Sequence, residues 1–245
     1  MTQPPEDART AGYQEWRTLT FLHWRIPADR LQPLIPSSLT IQEFDGSAWL
    51  GVVPFAMAKI RPWWSPPVPG ISWFLETNVR TYVVDRNGVS GVWFFSLDAN
   101  QWLAVNIART FWHLPYKLAT LAMSTQAEQP QASNSAQHIV YQGHRLDSPS
   151  ADYQISVDVS KDPPQEAAPG TLDHFLVERY FLFAAKQDGS LMTGQVHHKP
   201  YQLRRIVQLD CSETLTRAMG CECAATAPDH AAFSDGVKVR VSPLQ

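Results

Sequence analysis

The sequence predicts an α+β domain that is mainly antiparallel β, and three observations support that class. Strand-like runs such as Ala48 to Ile60 and Glu76 to Val83 recur along the 245 residues, and turn dipeptides such as Asp45-Gly46 and Asn87-Gly88 separate them. Helical patterns are few and short. No repeat or obvious linker divides the chain, so residues 13–245 read as one domain after a loose leader over 1–12.

Trp16 to Trp24 reads as the first strand, and the segment from Pro27 to Pro36 as a short helix opened by one proline and closed by another. Asp45-Gly46 then makes a hairpin turn into the strand Ala48 to Ile60. A proline-dense loop follows from Arg61 to Gly70, carrying Trp63 and Trp64. It reads either as a lid over a pocket or as a loop pinned to the body by its tryptophans. Along Glu76 to Val83, alternation puts Thr77, Val79, Thr81 and Val83 on a core face. Glu76, Asn78, Arg80 and Tyr82 lie on the other, which suits water or a polar cavity.

The run from Gly91 to Leu118 packs an apolar strand, a helix, an arginine and a Pro-Tyr-Lys step into one unit, read as the wall of a pocket. Asp98 followed by Gln101 has capping-box spacing. Leu103, Ile107 and Phe111 recur at helical spacing, which puts Arg109 nearly opposite their stripe. Pro115 ends the helix, and Tyr116 to Ser124 is extended. A polar stretch near 125–137 reads as an exposed insertion. Strands resume at His138 to Arg145 and Tyr153 to Ser160, and Thr171 caps a helix from Leu172 to about Val177. Arg179 to Ala185, Leu191 to His198 and Tyr201 to Asp210 complete the strand set, and a short helix from Ser212 to Ala218 stops at Gly220. The alternating Val237 to Val241 is expected to add an edge strand.

A net charge of -3 gives no global electrostatic case for nucleic acid or an anionic membrane, and no stretch approaches ~20 consecutive apolar residues. Cys211, Cys221 and Cys223 make neither a Cys-x-x-Cys pair nor an even disulfide set, so reduced thiols in a cytoplasm are expected. Cys-x-Cys is too short for the usual zinc spacing, and His197-His198 lacks the helical i, i+4 arrangement, so neither a metal nor a cofactor is expected.

Ala108-Arg109-Thr110 with Leu114-Pro115-Tyr116-Lys117-Leu118-Ala119 resembles the Gly-Arg-Glu to Pro-Lys-Lys stretch of acetoacetate decarboxylases at the same spacing. Further marks are His23-Trp24, Asp45-Gly46-Ser47-Ala48-Trp49, Val53-Pro54-Phe55, the segment Glu76 to Val83, Trp93 to Ala99, Glu178-Arg179-Tyr180 and His198-Lys199-Pro200-Tyr201. With these, the chain from about Trp16 to Leu203 resembles the YqjF-like family, of the acetoacetate decarboxylase-like superfamily. The resemblance implies a closed, barrel-like sheet flanked by a few helices, and hence a cavity.

In the decarboxylases a lysine amine condenses with a β-keto acid and must be neutral to do so. The matching position here holds Tyr116, Lys117 matches only the second lysine, and Thr110 replaces the glutamate. On an extended strand Tyr116 and Lys117 face opposite ways. The favoured reading is a small-molecule pocket protein without the Schiff-base lysine, binding an organic acid. Arg109 and Arg80 are its expected anion ligands, with Glu76, Asn78, Trp93 and His113 in the lining. The alternative is a lyase or hydrolase using Lys117, Tyr116 and Glu76, and a third reading is a barrel for protein interaction. Glu76 and Arg109 are expected to project into one cavity, Glu178-Arg179 to be an ion pair or a strand-start hydrogen-bonding device, and homo-oligomerisation is left open.

Overall fold

The computed structural model describes residues 10–127, 135–186, 188–221 and 227–245. Its strands in chain order are β1 (Gly12–Ile26), β2 (Leu39–Ile41), β3 (Ala48–Pro62), β4 (Phe74–Asp85), β5 (Ser90–Ala99), β6 (Tyr116–Ala127) and β7 (Ser135–Arg145). They continue as β8 (Asp152–Ser160), β9 (Gln165–Glu166), β10 (Phe181–Ala185), β11 (Leu191–His197), β12 (Gln202–Glu213) and β13 (His230–Val241). Four short helices intervene: α1 (Ala28–Leu31), α2 (Trp102–Phe111), α3 (Leu172–Val177) and α4 (Leu215–Ala218).

Local chemistry explains the joints. Asp45 and Gly46 take φ of 53° and 69°, the pair of positive angles a tight hairpin needs, and Phe44 and Ser47 close the turn. Thr171 Oγ1 accepts from His174 N and so starts α3 where the sequence places it. For α2 the cap is Gln101, whose Oε1 accepts from Leu103 N at 2.7 Å. Asp98 is not the cap. It stays in β5, buried, and accepts two 2.8 Å bonds from Arg145. The capping-box spacing is a local signal and cannot register a partner 47 residues away. In the polar stretch near 125–137, β6 runs on to Ala127 and β7 begins at Ser135; the leader to residue 9, residues 128–134 and Cys223 lie outside the described residues.

The tail strand is a junction rather than an edge. β13 pairs antiparallel with β1, β11 and β12. These partners are remote in sequence, as in Thr20↔Phe233, so strand alternation alone could not reveal them. Three branches run from β13 to β5: through β1, β3 and β4; through β11 and β10; and through β12, β8, β7 and β6. The first and third branches close a nine-strand ring, and the first and second close a smaller one. All pairings of the described strands are antiparallel except those of β5 with β6 and β10.

Because the branches share walls, alternate residues of one strand serve two interiors. On β4, Val79 and Val83 join a core with Ile139, Ile155 and Val157 of the nine-strand ring. Tyr82 turns the other way, to Phe21, Trp49 and Phe175. Both faces of β4 therefore point into protein.

Candidate functional site

A cavity of about 540 Å³ occupies the smaller ring, and each of its seven strands contributes to the wall. Trp16, Phe55, Val92, Phe94 and Leu182 make most of that wall apolar, while Ala104, Ile107 and Ala108 of α2 and Pro66, Val68 and Ile71 of the loop after β3 line the mouth. The loop is thus neither pinned by its tryptophans nor remote from the pocket: Trp63 and Trp64 are 63% and 71% exposed while Pro66, Val68 and Ile71 border the cavity.

The polar groups lie in a row. Glu76, Asn78 and Arg80 alternate along β4 and all face the cavity, each 9% exposed or less. Neighbours in such a row are about 6.6 Å apart along the strand. Tyr116, at the start of β6, donates its hydroxyl to Glu76 Oε2 at 2.8 Å. Burial raises the Glu76 carboxyl to about 7 against the lowering effect of that bond, and the nearby Asp98 charge pushes the same way as burial. Burial together with the Glu76 carboxylate holds the Tyr116 phenol well above its ordinary value.

At the other end Arg80 meets Arg179, which follows α3. Arg80 Nη2 donates to Leu176 O at 3.3 Å, and its Nε has no partner. Arg179 donates Nε to Phe175 O at 2.6 Å and Nη1 to Gln42 Oε1 at 2.7 Å, leaving Nη2 without a partner. The Arg179 guanidinium lies 4.3 Å from the Phe175 ring and 4.9 Å from that of Tyr82. Burial lowers Arg179 to about 10, and the charge on Arg80 contributes in the same direction. Among the described residues no carboxylate pairs with either arginine. Asn78 Oδ1 is also buried without a partner.

The surrounding residues hold this floor in place. Tyr82 OH meets His23 Nε2 at 2.7 Å, His23 Nδ1 meets His230 Nδ1 at 3.0 Å, and His230 Nε2 reaches Asp173 at 2.7 Å. Burial keeps His23 neutral, well below its ordinary value. Glu178 accepts from Tyr201 N and Tyr180 OH, so it is a hydrogen-bonding device at the strand start. It forms no ion pair with Arg179.

Of the expected site residues, Glu76, Asn78, Arg80 and Tyr116 meet at the cavity. Arg109 does not. It donates Nε to Tyr116 O at 2.8 Å and pairs with Asp147 on the outer side. The face of α2 that lines the cavity is Ala104, Ile107 and Ala108, and Arg109 lies off that face. Lys117 likewise turns outward and donates to Ser148 O at 3.1 Å, as alternation with Tyr116 requires. Trp93 packs into the nine-strand core, because Val92 and Phe94 take the cavity side. His113 sits at φ 49° after α2, outside the lining. Arg179 is the residue that sequence reasoning missed; its one signal was the Glu178-Arg179-Tyr180 mark. Among the described residues lining the cavity there is no lysine, and no group of three or more His, Cys, Asp or Glu side chains is placed to hold a metal.

Residues 13–238 match the DUF2071 family, described as an uncharacterized conserved protein. The uncharacterized protein YqjF of Bacillus subtilis (strain 168) is 33% identical over 207 residues, 84% of this chain and 81% of that protein. Among solved structures, an acetoacetate decarboxylase-like enzyme from Sphingomonas wittichii RW1 superposes with a TM-score of 0.64 at 14% identity, covering 100% of this chain and 96% of that one. The enduracididine biosynthesis enzyme MppR complexed with pyruvate gives 0.62 at 13%, covering 100% and 91%. Acetoacetate decarboxylase from Legionella pneumophila gives 0.59 at 12%, covering 99% and 90%. The fold is therefore acetoacetate decarboxylase-like.

Proposed function

We propose that this chain, which belongs to the DUF2071 family of uncharacterized conserved proteins, is a small-molecule pocket protein that binds an organic carboxylate between Arg80 and Arg179. The observation that carries the reading is two buried guanidiniums facing one cavity with unused N–H groups and no carboxylate partner among the described residues. An unpaired buried ion costs on the order of several kcal/mol, and two like charges cost more. A bound carboxylate offsets that cost through charge-assisted hydrogen bonds. MppR in complex with pyruvate supports the same ligand class by analogy of fold. Asn78 Oδ1 would accept from a hydroxyl or amine of the ligand about one strand step away, and the aromatic wall would hold its apolar part.

The same reading carries no Schiff-base step. Tyr116 cannot form an iminium, and Lys117 faces away. A second reading, proton transfer without a covalent intermediate, is favoured by one observation: the Glu76–Tyr116 pair, with a carboxyl near 7, stands in the row that ends at the arginines. Cytoplasmic location with reduced thiols belongs to the proposal as well. Native mass spectrometry of the purified protein tests the carboxylate reading. A retained small acid, absent from Arg80→Met/Arg179→Met, supports the proposal; a retained ligand with no acidic group contradicts it.

A further inference from the structure

The surface around the cavity mouth is apolar over an unusual extent. Trp63, Trp64, Val68 and Trp73 after β3, with Trp102 and Ile107 on α2, are 45% to 71% exposed. Gln101 Nε2 donates to Gly70 O at 2.6 Å and ties the loop to the helix, so these side chains belong to one surface. Pro62, Pro66, Pro67 and Pro69 stiffen the loop, which lowers the entropy lost when its tryptophans engage a partner. Exposed apolar clusters of this kind mark interaction sites.

Beside the mouth lies a groove of about 960 Å³ with a concentrated positive charge. Lys59, Arg61, Lys199, Lys238 and Arg240 line it, and among its described lining residues Glu15 is the one carboxylate, bonded to Lys59 and Arg17. Strand register builds the cluster: Tyr13 stands opposite Arg61 on β3 and Arg240 on β13, and Arg240 stands opposite His197 on β11. Burial and then the Arg240 charge lower His197. Groove and cavity are contiguous. Gln14 and Arg61 line both, while Pro66 faces the cavity and Pro67 the groove.

We propose that this face docks on an anionic lipid bilayer, with the tryptophans at the interface and the cations against acidic headgroups, so that the cavity mouth opens toward the membrane. Tryptophan favours the headgroup level, and clustered Lys and Arg beside it match a negatively charged leaflet. The net charge of -3, from which no membrane contact is expected, averages over this segregation. The docking does not depend on which acid the cavity binds.

The full chain, mixed with phosphatidylcholine vesicles with or without phosphatidylglycerol, gives the test by co-sedimentation. Binding is expected to the anionic vesicles alone, with a blue shift of tryptophan emission, and is weakened at high salt. Trp63→Ser/Trp64→Ser and, separately, Lys199→Glu/Lys238→Glu should each reduce it by about tenfold or more, with thermal melts confirming that both variants fold. Absence of binding to either vesicle, or unchanged binding of both variants, overturns the proposal. So does a dimer in solution that shields Trp63 and Trp64 from acrylamide, which would give the face to a second copy of the chain.

Discussion

Replacing Glu76 by Gln should make the protein more stable at alkaline pH and leave it nearly unchanged at acid pH. The carboxyl is raised from 4.5 to about 7 in the folded protein, so between these values the native state holds a proton that the unfolded chain has released. Stability then falls as pH rises through this window and levels off above about 7. At about 1.4 kcal/mol per pH unit the total loss is about 3 kcal/mol. Gln keeps an acceptor for the Tyr116 hydroxyl, which now donates to Glu76 at 2.8 Å, and never ionises. The variant should therefore match wild type within about 1 kcal/mol near pH 4.5 and exceed it by about 3 kcal/mol at pH 8. For a domain of this size that is a melting difference of about 6 to 12 °C. Denaturant melts of both proteins across this range measure it, and the difference between them cancels the titration of all other groups. A gap that does not change with pH would refute the reasoning and return Glu76 to an ordinary ionised carboxylate.

Arg145→Met should cost about 3–5 kcal/mol, because it leaves the Asp98 carboxylate buried without its bidentate partner; chemical denaturation checks it, and pairing with Asp98→Asn should recover part of the loss. Thr171→Ala should cost about 1 kcal/mol by removing the α3 cap, readable as a lower urea midpoint with unchanged slope. Borohydride added with acetoacetate should leave Lys117 unmodified by peptide mass analysis, since its amine faces Ser148 outside the cavity. Arg109→Ala should change carboxylate affinity less than about threefold, because its guanidinium is engaged by Asp147.

What could be read from the sequence was whatever short-range chemistry decides. Asp45-Gly46 specifies its turn through backbone freedom, Thr171 its helix through one hydroxyl, and the alternation of Glu76, Asn78 and Arg80 their common face. The misread residues depend on partners far along the chain. Asp98 has the spacing of a cap but belongs to Arg145, and β13 looks like a tail yet joins three branches of the sheet. Arg109 shows the limit most clearly. Helical periodicity put it opposite the apolar stripe, but which side of the helix faced the cavity was settled by packing. Arg179 lay outside any periodic pattern, and only its place beside Arg80 on the cavity makes it part of the proposed anion site.

Isothermal titration of pyruvate into wild type, Arg80→Met and Arg179→Met most directly tests the paired-arginine site. A carboxylate bound between two guanidiniums predicts saturable binding by wild type at a stoichiometry of one, and a loss of about 10- to 150-fold in each variant, the equivalent of one charge-assisted hydrogen bond. Pyruvate affinity equal in all three proteins, or lost only in Arg109→Ala, would contradict it.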